Sequence, residues 1–375
     1  MEKWQKSQQK SRINEDFANR QLVEKAKKSL HYGKDLPSAG SGEKFEKITQ
    51  TDLSQFFPCP RNWIFRKVLK LKEESQTAQI LQHYDFGTIC HKIVENIFNA
   101  CGVLDFAKMK ACIPEATQKA LTEKDEKTKA DDIKNSDLAT QMLLAQKGIF
   151  ENYIEKFLAQ ICSAPECTKD GKVKSSGKFE NYTVLGTEKS FNQPINANYS
   201  LYGQIDAIIS GDAEQGDVIL DYKTGSLPDP KDCVPDDKEK LNDFQMAVYS
   251  KLLLNAGTNG ETGKNSPYNL QNALFYSLKL SDDKFKTNYV VDANAKEEDR
   301  KDIESFEETA IALLDKYLDI FMQNVDAGNF EPQFSLDPQN SDSRKTLVRP
   351  FVDCAACKYK EICRTSFATA GTDLN

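Results

Sequence analysis

Apolar residues recur at helical spacing in three stretches of the chain. Residues 84–101 (YDFGTICHKIVENIFNAC) carry them at positions 86, 89, 90, 93, 94, 97, 98 and 101, which together form one face of an amphipathic helix. Similar spacing predicts helices over 241–254 and 303–328, the second of which ends on a glycine, a common residue after a helix C-terminus. Each of the three helices is expected to bury one side against a core.

Runs of β-branched and aromatic residues predict strands between these helices. Three runs follow one another over 183–191, 200–210 and 216–225, and two more lie at 271–280 and 286–293, the last as an edge strand. Helices before, between and after the strands indicate an α/β domain.

The remaining segments set the predicted domain organisation. Residues 1–45 form a charged N-terminal arm, poorly ordered or helical, for which no stable core is implied. The pattern then predicts one domain, 46–375, with a helical insertion at about 102–175 that contains charge-dense and polar loops. The first helix of this domain is predicted to begin at TDLSQFF, with Thr51 or Asp52 as its N-cap.

Composition and charge narrow the functional classes. No apolar run in the 375 residues reaches the roughly 18 residues of a membrane span, and the N-terminus lacks an apolar signal-peptide core, so we expect a cytoplasmic protein without membrane contact. A formal net charge of -7 argues against bulk attraction to nucleic acid but allows local basic patches. Ten cysteines in such a chain indicate buried residues plus a metal or cluster site rather than disulfides.

Two aspartates are predicted to face each other in a β-hairpin. If residues 211–216 (GDAEQG) form its loop, Ser210 pairs with Asp217. The same antiparallel register places Asp206 directly opposite Asp221, with Cβ atoms about 5 Å apart on one face. Two like charges at that distance repel, so the arrangement is unfavourable unless a cation lies between them.

Strand alternation adds a lysine to this face. Lys223 points to the same side of the sheet as Asp221, whereas Tyr222 points to the other side. Two carboxylates and an ammonium group converging on one spot form a hard-cation site beside a water-activating or electrophilic lysine. The alternative is a solvated sheet face with ordinary charges, which the spacing alone leaves open.

The two strands of this hairpin resemble a known catalytic core. YGQIDAIIS followed by DVILDYKTG is similar to the PD-(D/E)XK nuclease superfamily, in the form found in RecB/AddB-type nuclease domains. Ile205 stands where that core usually has proline. Two further elements resemble this branch: Gly87-x-x-x-His91 its N-terminal metal-binding histidine motif, and Gln245-x-x-x-Tyr249 its Q-x-x-x-Y motif.

The resemblance implies a restriction-endonuclease-like core, a mixed central sheet flanked by helices, that hydrolyses phosphodiesters with a metal. It implies that Lys223 orients the attacking water or stabilises the transition state, and that Gln245 and Tyr249 position Lys223 or the nucleic-acid strand. By periodicity alone, His91 lies on the polar face of its helix and is better interpreted as a solvated histidine. The resemblance instead implies that one or two Mg²⁺ or Mn²⁺ ions are held by His91, Asp206, Asp221 and the backbone carbonyl of Tyr222.

Near the carboxyl end, CAACKYKEIC places Cys354, Cys357 and Cys363 in a C-x2-C-x5-C pattern. The spacing alone leaves open the fourth ligand among seven other cysteines, and the choice between Zn²⁺ and an iron-sulfur centre. In the nuclease branch that the chain resembles, one cysteine ahead of the core joins this pattern around a [4Fe-4S] cluster. The resemblance therefore implies that Cys59 is the fourth ligand of a structural iron-sulfur clasp, whose C-terminal part spans residues 344–367.

Basic and aromatic residues accumulate on both sides of this clasp. Residues 61–72 contain five cations and no acid, with Trp63 and Phe65 between them. This combination suits single-stranded DNA, whose bases stack on aromatic rings while its phosphates pair with cations. The alternative is a basic helix with its aromatics in the core. The cations of both parts are Arg61, Arg66, Lys67, Lys70, Lys72, Arg344, Lys345, Arg349, Lys358, Lys360 and Arg364.

The resemblance thus implies a Mg²⁺- or Mn²⁺-dependent deoxyribonuclease, an exonuclease rather than an endonuclease, acting on single-stranded DNA ends. It would be the nuclease module of a helicase-nuclease in double-strand break repair and recombination, with the helicase in a partner or elsewhere in the polypeptide. A stand-alone or CRISPR-adaptation exonuclease is one alternative, and a catalytically silent iron-sulfur module that binds DNA is another.

Overall fold

A computed structural model of the chain describes most of the domain and the segment with the C-terminal cysteines. The predicted arm, residues 1–45, lies outside the described residues except for residue 21. The described residues are 21, 46–71, 83–122, 141, 144–162, 179–235, 240–257, 266–281, 284–293, 302–332, 353–355 and 357–363.

One mixed sheet of six strands forms the centre of the domain. Its strands are β1 (Glu46–Thr49), β2 (Thr183–Pro194), β3 (Tyr199–Ser210), β4 (Asp217–Lys223), β5 (Leu270–Ser281) and β6 (Lys284–Asp292). They lie in the order β1-β3-β4-β5-β6, and β2 also pairs with β3. The β1–β3 and β4–β5 pairs are parallel, and the other pairs are antiparallel.

Helices flank this sheet. They are α1 (Gln50–Phe56), α2 (Pro60–Trp63), α3 (His83–Cys101), α4 (Phe106–Thr122), α5 (Lys147–Cys162), α6 (Pro230–Cys233), α7 (Gln245–Leu254), α8 (Ile303–Phe306), α9 (Ala312–Ala327) and α10 (Lys360–Cys363). One π-helical turn, Ile64–Val68, follows α2, and another, Glu307–Ile311, joins α8 to α9. Within the described residues, no helix is long and apolar enough to cross a membrane.

Two hydrophobic cores lie on opposite faces of the sheet. Helices α3, α4 and α5 pack against one face, where Leu220 and Leu274 are buried. Helices α1, α7 and α9 pack against the other face, where the neighbouring residues Ile219 and Phe275 are buried. This sandwich of a mixed sheet between helices is the expected restriction-endonuclease-like architecture.

The predicted strands and long helices are confirmed, with shifted bounds. All five predicted strands are present as β2 to β6. The helix predicted over 241–254 begins only at Gln245, and the one predicted over 303–328 contains the π-helical turn before α9. Helix α9 ends as expected, with Gly328 in the left-handed conformation at φ 69°.

The prediction missed β1, and for that reason its N-cap was wrong. Because β1 runs to Thr49, this residue caps α1 instead of Thr51 or Asp52. The Thr49 hydroxyl accepts a hydrogen bond from the Asp52 backbone N–H at 3.2 Å, and the Asp52 carboxylate accepts one from the Thr49 N–H at 3.0 Å. The buried Asp52 also accepts from the Trp63 indole at 3.0 Å and pairs with Lys67 at 2.8 Å.

Two glycines allow helices to approach the sheet closely near the end of β4. A Cβ on Gly87, in α3, would lie 2.6 Å from the hydroxyl oxygen of Thr224, which directly follows β4. A Cβ on Gly203, in β3, would lie 2.8 Å from Leu252 and 3.2 Å from the ring of Tyr249, both in α7. The glycines therefore set the distance of α3 and α7, the helices that carry predicted site residues, from the sheet.

Candidate active site

The edge of β3 is shared between two strands. Residues 199–202 pair with β1 and residues 207–210 pair with β4, while β2 runs along the other edge of both segments. Residues 203–206 lie between the two segments, so the sheet opens at this point.

Asp206 and Asp221 lie at this opening, immediately beyond the last pair of the β3–β4 ladder. Ser210 pairs with Asp217, so the predicted hairpin register is confirmed. The backbone N–H of Tyr222 donates a hydrogen bond to Asp206 Oδ2 at 2.8 Å. The Asp206 carboxylate thus accepts a hydrogen bond from the β4 backbone just beyond the last β3–β4 pair.

The surroundings of Asp206 and Asp221 make ionisation of both carboxyl groups unfavourable. Burial raises the pKa of the Asp206 carboxyl to about 7, and the charge of Glu188 adds to this although the Tyr222 N–H opposes it. Burial likewise raises the pKa of Asp221 to about 7, and the charge of Asp206 adds to it while Lys223 opposes it. A bound cation would relieve this cost.

Lys223 links Asp221 to helix α7. Its Nζ lies 2.6 Å from Asp221 Oδ2 and donates to Gln245 Oε1 at 2.7 Å. The Gln245 amide nitrogen donates to Asp221 Oδ1 at 2.5 Å and to the Tyr249 hydroxyl at 3.0 Å. The prediction that Lys223 shares a face with Asp221 is therefore confirmed, and the helical spacing of Gln245 and Tyr249 brings both side chains into the same network.

Tyr222 points to the opposite core, as predicted, and there it meets His91. The Tyr222 ring packs edge-on against Phe157 and against the imidazole of His91, with centroids 5.6 and 5.7 Å away. His91 Nδ1 lies 3.5 Å from Asp206 Oδ2. Burial lowers the pKa of His91 and favours the neutral imidazole, the form that binds metals. The interpretation of His91 as a solvated residue is therefore wrong.

Sequence reasoning missed one acid of this pocket. Glu188, in β2, lies opposite Asp206, because the residues on either side of Glu188 pair with those on either side of Asp206. Among the described residues, His91, Glu188 and Asp206 are the one group of three potential ligands whose binding atoms all lie within 4.8 Å of one another. The signal that could have found Glu188 is the turn after β2, since pairing Pro194 with Ser200 fixes this register.

The donors at this opening suit a divalent cation. Carboxylate oxygens are the ligands that Mg²⁺ and Mn²⁺ favour, and imidazole is accepted by the transition metals. The strands β2, β3 and β4 supply three carboxylates, those of Glu188, Asp206 and Asp221, and helix α3 supplies the imidazole of His91. A bound cation would relieve the repulsion among the carboxylates. The chemistry of the pocket therefore fits a divalent metal.

The family model of the PD-(D/E)XK nuclease superfamily matches residues 47–364. The chain belongs to this superfamily. The match runs from β1 to the C-terminal cysteines and includes the whole carboxylate pocket, so the protein is a nuclease and its substrate is nucleic acid. A comparison with curated proteins found no significant match.

The four cysteines predicted for the clasp of this nuclease line a single pocket. Cys59 stands at the N-cap of α2, where burial raises the pKa of its thiol and the backbone N–H groups of Asn62 and Arg61 oppose this. The Arg61 guanidinium donates to Cys363 Sγ at 3.6 Å. The residues that line the pocket include Cys59, Cys354, Cys357 and Cys363.

Aromatic packing joins the two chain segments around this pocket. The Tyr359 ring meets Phe65 edge-on at 5.3 Å, and the Tyr359 hydroxyl donates to the Leu71 carbonyl at 3.1 Å. Arg61 also pairs with Glu331, after α9. The segment after Cys59 is thus held against the C-terminal cysteine segment by an aromatic contact and a hydrogen bond, and against the end of α9 by an ion pair.

The other described cysteines lie away from this pocket. Cys90, Cys162 and Cys233 are buried in the two cores, as expected of small apolar residues. Cys101 and Cys112 are half-buried, with sulfur atoms 3.5 Å apart. Cys167 lies outside the described residues.

The basic segment of this nuclease is only partly available to a ligand. Trp63 is fully buried, so its predicted stacking on bases is wrong and the core interpretation applies to it. Arg61 and Lys67 are engaged with Glu331 and Asp52, respectively. Phe65 is half-buried, and four predicted cations are exposed: Arg66, Lys70, Lys358 and Lys360. The remaining cations, Lys72, Arg344, Lys345, Arg349 and Arg364, lie outside the described residues.

Proposed function

We propose that this nuclease is a Mg²⁺- or Mn²⁺-dependent deoxyribonuclease of the RecB/AddB type that removes nucleotides from single-stranded DNA ends. The observation that carries the proposal is the row of carboxylates at the opening of the sheet, with Lys223 held 2.6 Å from Asp221. Like charges placed together beside an ammonium group suit a cation and a phosphate, not a solvated sheet face.

In this proposal the side chains of the pocket have two roles: some bind the metal ion, and the others position the reacting groups. The ion, when bound, supplies a water of lowered pKa and positive charge for the scissile phosphate. The groups that would hold the ion are His91, Asp206, Asp221 and the Tyr222 carbonyl. Lys223, fixed between Asp221 and Gln245, presents its ammonium group to the attacking water or to the phosphate oxygens. Tyr249 accepts from the Gln245 amide and thereby keeps that side chain turned towards Lys223.

The second part of the proposal is a [4Fe-4S] cluster on Cys59, Cys354, Cys357 and Cys363. All four residues line one pocket, although Cys59 lies near one end of the matched region and the other three lie near its other end. Thiolates bind zinc and iron-sulfur centres alike, so the choice of the cluster over Zn²⁺ rests on the resemblance to the nuclease branch.

The biological setting is proposed from the same resemblance. A cytoplasmic helicase partner, or a helicase elsewhere in the polypeptide, would expose the single strand for double-strand break repair and recombination. Lys360 lines the cysteine pocket, and Arg66, Lys70 and Lys358 lie in the two chain segments that carry its cysteines. All four cations are exposed and would bind the phosphates of the single strand.

Digestion of end-labelled oligonucleotides tests the catalytic proposal. Single-stranded DNA, duplex DNA and RNA, each labelled at the 5′ or the 3′ end, are incubated with the cluster-loaded protein and Mg²⁺ or Mn²⁺. We expect stepwise shortening of single-stranded DNA, abolished by chelation and by Asp221→Asn but retained by the matched loop variant Glu214→Gln. A folded, loaded protein that cleaves none of the substrates would instead support the silent binding module.

Metal analysis tests the clasp separately. Protein purified without oxygen is expected to contain four iron and four sulfide ions per chain and to show broad visible absorption that Cys59→Ser abolishes. A colourless preparation with one zinc ion per chain would replace the cluster by zinc and leave the catalytic proposal untouched.

A further inference from the structure

The backbone of Glu188 has a conformation that is unfavourable for a residue with a side chain. Its φ is 46°, in the left-handed region that residues with a side chain rarely adopt, although it lies within β2. Thr187 and Lys189, on either side of it, keep their pairing with β3, although the register of this strand pair shifts between Val184 and Gly186. Conformations of this kind persist only where the surrounding structure holds them, and they cluster at functional sites.

The Glu188 side chain is directed at the pocket. The Gln204 amide donates to Glu188 Oε2 at 2.7 Å, which anchors one oxygen and leaves the second for another partner. Glu188, on β2, lies opposite Asp206, on β3. Asp221, on β4, lies on the other side of Asp206, one position beyond the last β3–β4 pair. Three carboxylates therefore lie in a row across three neighbouring strands.

His91 lies close to both Glu188 and Asp206. Binding atoms of Glu188, Asp206 and His91 all lie within 4.8 Å of one another, and His91 Nδ1 is 3.5 Å from Asp206 Oδ2. Ligands of one hard cation lie at most about 4–5 Å apart, because each is about 2.0–2.6 Å from the ion. The three side chains can therefore share one ion with small adjustments.

We propose that Glu188 is a ligand of a divalent cation, which it holds together with His91 and Asp206. Asp206 stands between this cation and Asp221, so its two oxygens can serve ions on both sides, as in centres that place two ions about 3.5–4 Å apart. This inference rests on the proposed metal-dependent function and adds a third acid to it.

Binding of Mn²⁺ to the full-length, cluster-loaded protein, freed of divalent cations and without DNA, tests the inference, with free Mn²⁺ counted from its electron paramagnetic resonance signal. Glu188→Gln keeps an acceptor for Gln204 but removes the charge, and we expect it to weaken binding of one Mn²⁺ at least about tenfold. Glu188→Asp, which keeps the charge and shortens the reach, should bind with intermediate affinity. The matched control Glu214→Gln, in the exposed hairpin loop, should bind as the parent does.

Two further variants separate this inference from the function on which it rests. If Glu188 and His91 hold the same ion, Glu188→Gln, His91→Gln and their combination should all weaken the binding of the same single Mn²⁺ ion and leave any other bound Mn²⁺ unchanged. Identical binding curves for Glu188→Gln and Glu214→Gln, with weakened binding in Asp221→Asn, would overturn the role of Glu188 alone. Unchanged binding in Asp221→Asn as well would overturn the proposed metal centre itself.

Discussion

The carboxylate pocket and the cysteine pocket of this protein are built in opposite ways. The first draws its strand residues from β2, β3 and β4, which follow one another along the chain, and a polar network fixes its side chains. The second joins Cys59 to cysteines nearly 300 residues later. Its halves meet through the Tyr359 contacts and Arg61.

Because of this difference, we expect the carboxylate pocket to contribute mainly to catalysis and the cysteine pocket mainly to the stability of the fold. Strand pairing places the carboxylates wherever the hairpin forms, so removing one of them should spare the fold. Closing a loop of nearly 300 residues restricts the unfolded chain strongly, so opening the cysteine pocket should cost stability first.

The largest effect is expected from Lys223→Ala. Lys223 contributes the positive charge nearest Asp221 and is 27% exposed, so the variant should fold, while cleavage falls about 10³- to 10⁵-fold, or about 4–7 kcal/mol in the barrier. Single-turnover cleavage of labelled single-stranded DNA measures this. Circular dichroism and thermal unfolding are the controls, and a variant with near-parent cleavage would contradict the role of Lys223.

Cys59→Ser should show the reverse pattern. Loss of the long-range clasp is expected to lower the free energy of unfolding by about 3–5 kcal/mol, on the scale of a long-loop cross-link. Chemical denaturation of parent and variants, all purified without oxygen in the same way, measures the loss. Cys90→Ser is the control for a buried thiol that lies outside the pocket. Equal loss in both variants would mean that Cys59 acts only as a buried residue.

The metal-free carboxylate pocket should destabilise the fold in a pH-dependent way. Since the folded-state pKa of Asp206 is raised from 3.8 to about 7, the folded state keeps a proton that the unfolded state loses, and stability falls as pH rises through this window. Asp206→Asn should therefore match the parent near about pH 4 and exceed it by about 1–4 kcal/mol near about pH 8.

Thermal unfolding of both proteins across this pH range, with and without Mn²⁺, checks the prediction. The ion should stabilise the parent near the alkaline end and narrow its difference from Asp206→Asn. A difference that does not change with pH would mean that Asp206 ionises freely in the folded protein.

Gly203→Ala tests how closely α7 must approach the pocket. The added methyl would lie 2.8 Å from Leu252 and 3.2 Å from Tyr249, so we expect about 1–3 kcal/mol of destabilisation and slower cleavage as Tyr249 and Gln245 shift. Gly225→Ala, where a Cβ meets nothing within 4 Å, is the matched control in the same measurements. Equal behaviour of the two variants would show that α7 tolerates displacement.

The contrast between the two pockets also explains what the sequence could predict. Hairpin register follows from a short loop and strand periodicity, so Asp206, Asp221 and Lys223 could be placed from the sequence alone. The position of Glu188 depends on the turn between β2 and β3, and the pairing of β1 with β3 depends on segments distant in sequence. No local pattern reports such contacts.

The same limit applies to the aromatic residues of the basic segment. Trp63 and Phe65 lie between Arg61 and Arg66, and that pattern fits a DNA-binding surface and a buried helix equally well. Trp63 belongs to the core because its indole N–H finds the buried carboxylate of Asp52, a partner that depends on how α1 is capped. Burial of this kind follows from tertiary packing, which spacing does not encode.

The smallest effect is expected from the exposed cations beside the cysteine pocket. Arg66→Ala with Lys70→Ala should reduce the salt dependence of single-stranded DNA binding by about 0.7 per lost phosphate contact. Both side chains are exposed, so stability should stay within about 0.5 kcal/mol of the parent. Fluorescence anisotropy over a salt series measures the slope, with Lys108→Ala in α4 as the control. An unchanged slope would show that Arg66 and Lys70 do not contact the DNA phosphates.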